Sequence, residues 1–234
     1  MNFTSKTVMV TGAAGNLGRA VAHAFRQQGA NLVLMDRDMA ALQRAFGTED
    51  DRAAFFAVDL LDQAQVKEAV ESAVRRFDRI DVLCNVAGGF RMGPAIHETP
   101  DQDWNFLFDL NTRSVLHAAR AVVPGMLAAG CGKVVNIAAN SAQKGVANMG
   151  AYCASKDVVI RMTEAMAGEL RDSNINVNCV MPSIIDTPEN RAAMPNADFS
   201  RWVSPEALAD VIVFLASDSA RAIHGAALPV VGRS

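Results

Sequence analysis

The stretch Thr7-Val8-Met9-Val10-Thr11-Gly12-Ala13-Ala14-Gly15-Asn16-Leu17-Gly18 decides the fold. A short apolar run reads as a buried strand, a glycine-rich turn follows, and Arg19–Gln28 continues as a helix. Such a turn lets backbone approach a pyrophosphate, while the helix start offers unpaired N–H groups and a partial positive charge. Taken alone, the glycines fit a tight packing turn equally well. Their place at the first strand of an alternating chain favours a dinucleotide site, with Gly12, Ala14, Gly15, Asn16, Leu17 and Gly18 as its phosphate contacts.

Outward from this turn, strand-like and helix-like segments alternate to the end of the chain. The strand-like runs are Thr7–Thr11, Asn31–Met35, Ala54–Val58, Val82–Asn85, Lys133–Ala138, Asn176–Met181 and Ala226–Val231. Between them lie stretches with apolar residues three and four apart; in Asp62–Phe77 the stripe is Val66, Ala69, Val70, Ala73, Val74 and Phe77. Strands buried on both faces and separated by helices predict an α/β fold. The expectation is a single Rossmann-like, doubly wound domain over residues 1–234, with a seven-stranded parallel sheet flanked by helices. Asp101–Leu127 and Ala151–Leu170 read as long helices. Pro182–Val203 holds three prolines and little periodicity, and reads as an irregular lid over substrate.

Composition agrees. The chain has 234 residues, half of them hydrophobic, which suits one α/β domain with a large core. Net charge is -3 with no basic block, so nucleic acid is not an expected partner. No apolar run approaches the length of a membrane span, and Met1–Lys6 has no signal-peptide pattern, so the expected location is the cytoplasm and no membrane partner is expected. Cys84, Cys131, Cys153 and Cys179 are scattered and read as free thiols. His23, His97, His117 and His224 match no ligand spacing, so no metal is expected.

Asp36 follows the second strand, eighteen residues after Gly18, where an acid can take the ribose hydroxyls of NAD and repel the 2′-phosphate of NADP. NAD(H) is therefore the preferred cofactor. Arg37, able to turn onto a 2′-phosphate, keeps NADP(H) open. Asp59 and Leu60, after the third strand, are placed to meet the adenine edge. Asn85-Val86-Ala87-Gly88 ends the fourth strand in small residues where a cofactor would pass, and Asn85, Ala87 and Gly88 are counted as contacts.

Tyr152, the one tyrosine of the chain, precedes Lys156 by four residues, which puts both on one helical face. A phenol is a poor acid/base near neutrality. A nearby lysine cation, together with nicotinamide's positive charge, is expected to lower its pKa and make it useful. Lys156 is also placed to bind the nicotinamide ribose.

The glycine turn, Asn85-Val86-Ala87-Gly88, Asn111, Tyr152-x-x-x-Lys156 and Pro182-x-x-x-Asp186-Thr187 occur in this order. Together they resemble the short-chain dehydrogenase/reductase superfamily over nearly the whole chain. That resemblance implies an NAD(P)-dependent oxidoreductase moving a hydride between nicotinamide and a small carbonyl or alcohol substrate. It implies that Tyr152 exchanges the proton, that Lys156 binds ribose and tunes Tyr152, and that Asn111 holds a water in a proton relay. Pro182, Ile184 and Thr187 would grip the carboxamide. Family members pair through helices like Asp101–Leu127 and Ala151–Leu170, which implies a homodimer or homotetramer; Val122, Met126, Met162 and Met166 belong either to such an interface or to the core.

Two features depart from the family pattern. Its turn is usually spaced TGxxxGxG, whereas Asn16 stands here at the second glycine. Its serine usually falls thirteen residues before the tyrosine, which is Ala139 here; Ser141 is two residues on and is the candidate replacement. The segment Pro182, Asp186-Thr187-Pro188, Asn190-Arg191, Met194-Pro195, Ala197-Asp198-Phe199-Ser200 and Trp202, with Cys84, Val86-Ala87-Gly88-Gly89 and the GxxGxxG spacing, is similar to dihydropteridine reductases, which also carry alanine in place of the serine. That similarity implies reduction of a quinonoid pterin by NADH as the alternative function, although this chain keeps Asn111 and that group does not. A dinucleotide-binding protein with weak or lost catalysis is the other alternative. Phe90, Arg91 and Met92 either line the substrate site or form a plain surface loop. Met149, Met194 and Trp202 either cap the pocket or simply pack, and Gln143 and Lys144 are further candidates for substrate contact.

Overall fold

Seven apolar runs pair into one sheet in the computed structural model, which describes residues 1–234. The strands are β1 (Thr7–Thr11), β2 (Asn31–Asp36), β3 (Ala53–Ala57), β4 (Val82–Asn85), β5 (Gly132–Ile137), β6 (Ile175–Pro182) and β7 (Ala227–Val230). Their order is β3-β2-β1-β4-β5-β6-β7 and every pairing is parallel. The helices are α1 (Asn16–Gln27), α2 (Met39–Phe46), α3 (Gln63–Phe77), α4 (Asp101–Phe108), α5 (Ser114–Ala129), α6 (Gly150–Leu170), α7 (Pro188–Ala193) and α8 (Pro205–Leu215). The seven-stranded, doubly wound sheet expected from the sequence is thus what the chain forms, with strand boundaries shifted by at most one residue.

Burial shows why. All five residues of β1 are buried, and Val8, Met9 and Val10 alternate between two cores. Val8 and Val10 join one core with Val21, Phe25, Leu208 and Ile212, which lines α1 and α8. Met9 faces the other core with Val66, Val70, Val122 and Met126, which lines α3 and α5. The α3 stripe is nearly as expected, except that Val74 remains 38% exposed. Val122 and Met126 are core residues and so are not available to an interface between copies. Side-chain caps start the helices: Asp38 accepts from Ala40 N, Asp62 from Ala64 N and Gln65 N, and Ser204 from Ala207 N. Each such cap contributes about 1 kcal/mol. No helix is long and apolar enough to cross a membrane.

The sheet reverses direction of build between β1 and β4, so a crevice opens beyond their carboxyl ends, the place where parallel α/β sheets bind ligands. The buried Thr11 closes the floor of that crevice. Its hydroxyl oxygen accepts the Val86 N–H at 3.1 Å and the Ala87 N–H at 3.2 Å, which fixes the exit of β4 against β1.

Two segments differ from their expected form. Asp101–Leu127 is not one helix: a π-helical turn, Asp109–Arg113, separates α4 from α5 and points Asn111 inward. Such turns add a residue to the helix and are frequent at functional sites. Pro182–Val203 is more ordered than expected. Thr187 caps α7 by accepting from Asn190 N, Pro188 takes the first turn, and Phe199–Arg201 forms a 3-10 turn. The Arg191 guanidinium pairs with both oxygens of Asp186, at 2.5 and 2.7 Å, and lies 4.8 Å over the Phe199 ring.

Candidate active site

The glycine turn is built around contacts that leave no space for side chains. Gly12 has φ +64°, and a β-carbon there would fall 2.8 Å from Ala87 Cα; one on Gly18 would fall 2.1 Å from the Gly12 carbonyl oxygen. Gly15 is only the N-cap of α1, where a β-carbon would have room at 3.4 Å. This accounts for Asn16 at the usual glycine position: α1 begins there, and its side chain leaves the turn to donate to Glu189 of α7 at 2.8 Å. No side chain caps the opening of α1, and no acidic residue sits in its first turn. The N-terminal N–H groups therefore keep their capacity for an anion.

Asp36 ends β2 beside this turn. One carboxylate oxygen accepts from Ala14 N at 3.0 Å and the other from Arg37 N at 2.8 Å. Arg37 is exposed and makes no ion pair. Asp59 is exposed, and its carboxylate accepts from Leu61 N at 2.9 Å. Leu60 is buried, with its carbonyl 2.9 Å from His117 Nδ1. Asp59 and Leu60 thus shape the loop after β3, and the Leu60 carbonyl points into protein.

At the exit of β4, three groups converge. Asn111, buried in the π turn, accepts from Gly89 N at 2.8 Å and donates to Gly89 O and to Ser155 Oγ, both at 3.0 Å. Lys156, also buried, donates to Ile137 O at 2.9 Å. A β-carbon on Gly88 would lie 3.0 Å from Asn111 Oδ1 and 3.0 Å from Lys156 Nζ. Asn85, one strand-end earlier, donates to Asn136 at 2.8 Å, while its own Oδ1 is buried with no partner in the chain. Ala87 and Gly88 complete this small-residue floor.

Tyr152 is half-buried in the first turn of α6, with the Phe90 ring edge-on at 4.9 Å. Burial pushes the Tyr152 phenol up to about 12. Burial pushes Lys156 down to about 8. The lowering expected from the sequence needs the lysine and the nicotinamide charge together; in the chain alone burial is the leading cause and acts upward.

The remaining candidates lie around the rim. Pro182 ends β6 opposite Val230, Ile184 gives its carbonyl to Val203 N at 3.0 Å, and the Thr187 oxygen is engaged as the cap of α7. Ala139 is buried, and Ser141 follows in a 3-10 turn, half-buried, with its hydroxyl bonded to nothing in the chain. Sequence reasoning passed over Thr11 and Ser155. Thr11 had a signal, since it closes the strand before Gly12; Ser155 had none, because only folding brings it to Asn111.

A family model described as short chain dehydrogenase matches residues 6–198. A D-threitol dehydrogenase of Mycolicibacterium smegmatis is 34% identical over 239 residues, covering 97% of this chain and 92% of the relative. Among solved structures, ElxO with NADP bound aligns with a TM-score of 0.90 and 26% identity over 97% of both chains. Carveol dehydrogenase from Mycobacterium avium in complex with NAD aligns with a TM-score of 0.90 and 28% identity, covering 97% of this chain and 96% of that one.

Proposed function

Because the chain belongs to the short-chain dehydrogenase family and is an NAD(P)-dependent oxidoreductase, we propose that Tyr152, Lys156 and Asn111 carry its reaction on a small carbonyl or alcohol substrate. The observation that supports this most is the approach of Lys156 and Asn111 to one point over Gly88, next to the uncapped start of α1. The cradle fits a dinucleotide. Gly12 and Gly18 admit no side chain, the α1 start suits a pyrophosphate, and the partnerless Asn85 Oδ1 offers an acceptor beneath.

The structures of ElxO and carveol dehydrogenase hold NADP and NAD, which supports a nicotinamide dinucleotide here. Asp36 would take ribose hydroxyls and disfavour a 2′-phosphate, so NAD(H) is the proposed preference. Gly12, Ala14, Gly15, Asn16, Leu17 and Gly18 would surround the pyrophosphate. Asn85, Ala87, Gly88, Pro182, Ile184 and Thr187 would line the nicotinamide half, and the Asp59–Leu60 loop the adenine.

When bound, the cofactor supplies or accepts the hydride at the substrate carbon. The chain handles the proton. In reduction, the Tyr152 hydroxyl gives its proton to the substrate oxygen as that oxygen becomes an alcohol. In oxidation, the phenolate takes it back. With its pKa pushed up to about 12, Tyr152 starts as the neutral phenol, the form that donates. The Lys156 ammonium stabilises the phenolate left behind, and its bond to Ile137 O holds it on the β5 side. Asn111 fixes the Gly88–Gly89 backbone through both bonds to Gly89.

A second possibility rests on one observation, the buried Ala139 where a substrate-orienting hydroxyl is usual. A quinonoid pterin spreads charge over its ring and needs that donor less. Turnover of NADH and NADPH against simple ketones and a quinonoid dihydropterin tests both. Consumption with none of them contradicts the oxidoreductase chemistry assigned to Tyr152.

A further inference from the structure

The loop that carries Phe90 is exposed yet firmly anchored. The Phe90 ring, 55% exposed, packs at 85° against Tyr152 with centroids 4.9 Å apart. On the same loop, Met92 is 65% and Ile96 59% exposed. Arg91, between them, stacks 3.9 Å over the Phe106 ring and pairs with Asp103, so its charge is turned onto α4. Gly93 N donates to Asn148 O at 2.8 Å, binding the loop to the segment before α6. Ile96 fills the space over Gly150, where a β-carbon would come within 2.7 Å of Ile96 Cδ1; Gly150 opens the helix turn that bears Tyr152. Three ties therefore hold an apolar strip in a fixed place beside the tyrosine.

Of the polar side chains that follow β5, Asn140 and Gln143 bond each other, Gln143 donating to Asn140 Oδ1 at 2.5 Å, which leaves only Ser141 and Lys144 without partners in the chain. A substrate with several hydroxyls needs several convergent polar partners, because a buried hydroxyl left unpaired is costly. A flat apolar group needs a fixed apolar surface, and an aromatic ring meets it well edge-on or offset.

We propose that Phe90 is a specificity-determining residue, forming with Met92 an apolar wall that selects substrates whose reacting carbon, a C=O or C=N carbon, carries a flat, apolar or aromatic substituent rather than a chain of hydroxyls. This rests on Tyr152 as the proton donor. It sets the chain apart from the D-threitol dehydrogenase it resembles, whose name gives a polyol substrate.

The experiment compares kcat and KM for acetophenone, cyclohexanone and dihydroxyacetone with NADH, in the wild type, Phe90→Leu and Phe90→Ala. The expected result is that wild type favours acetophenone over dihydroxyacetone, and that Phe90→Ala raises KM for acetophenone by about tenfold or more. Phe90→Leu recovers part of this, while kcat for dihydroxyacetone and the pH profile stay unchanged. A wild-type preference for dihydroxyacetone overturns the proposal and leaves the Tyr152 chemistry intact. An equal fall in kcat on all three substrates, with a shifted pH profile, overturns it too, because Phe90 would then only hold Tyr152 in place. A change of oligomeric state with unaltered selectivity assigns the strip to a second copy and is equally fatal. No NADH consumption with any of the three ketones or with a quinonoid dihydropterin, in a protein that binds NADH, rejects the underlying chemistry as well.

Discussion

The Asp36 carboxylate holds the backbone of Ala14: its Oδ2 accepts the Ala14 N–H at 3.0 Å, so the acid that ends β2 also shapes the glycine turn. Charge and shape can be separated. Asp36→Asn keeps an acceptor for Ala14 N and removes the negative charge, whereas Asp36→Ala removes both. Relieving like-charge repulsion, which costs several kcal/mol, should shrink the NAD-over-NADP ratio of kcat/KM about tenfold or more in Asp36→Asn, every 1.4 kcal/mol being tenfold. Asp36→Ala should add a rise in KM for both cofactors. A wild type that prefers NADPH would reject the assignment and point to the unpaired Arg37.

Lys156 gives a pH-dependent prediction. Burial lowers it from 10.5 to about 8 in the folded chain, which corresponds to about 3 kcal/mol of destabilisation when the ammonium is charged. Between those two pH values the unfolded chain binds more protons, so stability rises with pH there. Below pH 8 the full cost is present; above 10.5 it is gone. Lys156→Met fills the same space without charge and loses one hydrogen bond to Ile137 O, worth about 1 kcal/mol. Denaturation of the cofactor-free protein should therefore show Lys156→Met more stable than wild type at pH 7, with the advantage shrinking by pH 10, and inactive at both. Equal destabilisation of the variant at both pH values contradicts the burial cost.

Ser141→Ala addresses the missing hydroxyl. Ser141 sits two residues past the buried Ala139 and bonds nothing in the chain. Its loss should lower turnover by far less than the roughly 10²–10³-fold that an oxyanion donor is worth. A fall of that size on every carbonyl substrate would show that Ser141 takes over the serine's part. A silent Ser141→Ala, with quinonoid dihydropterin outcompeting ketones, would instead favour the pterin alternative.

Much of the frame was legible because the strands are buried on both faces, which leaves uninterrupted apolar runs such as Val8–Val10 and Leu32–Met35. Tyr152 and Lys156 were legible because helical spacing alone puts them on one face. The π turn at Asp109–Arg113 was not, since no residue there marks an extra residue per turn; it goes with the bonding of Asn111 to Gly89, a partner 22 residues away. The bond from Asn16 to Glu189 spans 173 residues and leaves no local trace. The order within Pro182–Val203 did leave one: Thr187-Pro188-Glu189 is a capping residue, a proline at the first turn and an acid behind it. The contact of the Leu60 carbonyl with His117, 57 residues away, left no local trace.

In the proposed mechanism Tyr152 exchanges the proton while the cradle around Gly12, Gly18 and Gly88 holds the cofactor without it. Tyr152→Phe keeps a ring against Phe90 and removes only the hydroxyl. The decisive measurement is NADH-dependent reduction of the best ketone by this variant, alongside its NADH dissociation constant by nicotinamide fluorescence. A loss of roughly 10²–10⁴ in kcat is expected, the range of a general acid, with the dissociation constant nearly unchanged. Turnover close to wild type in Tyr152→Phe, with cofactor binding intact, would contradict it.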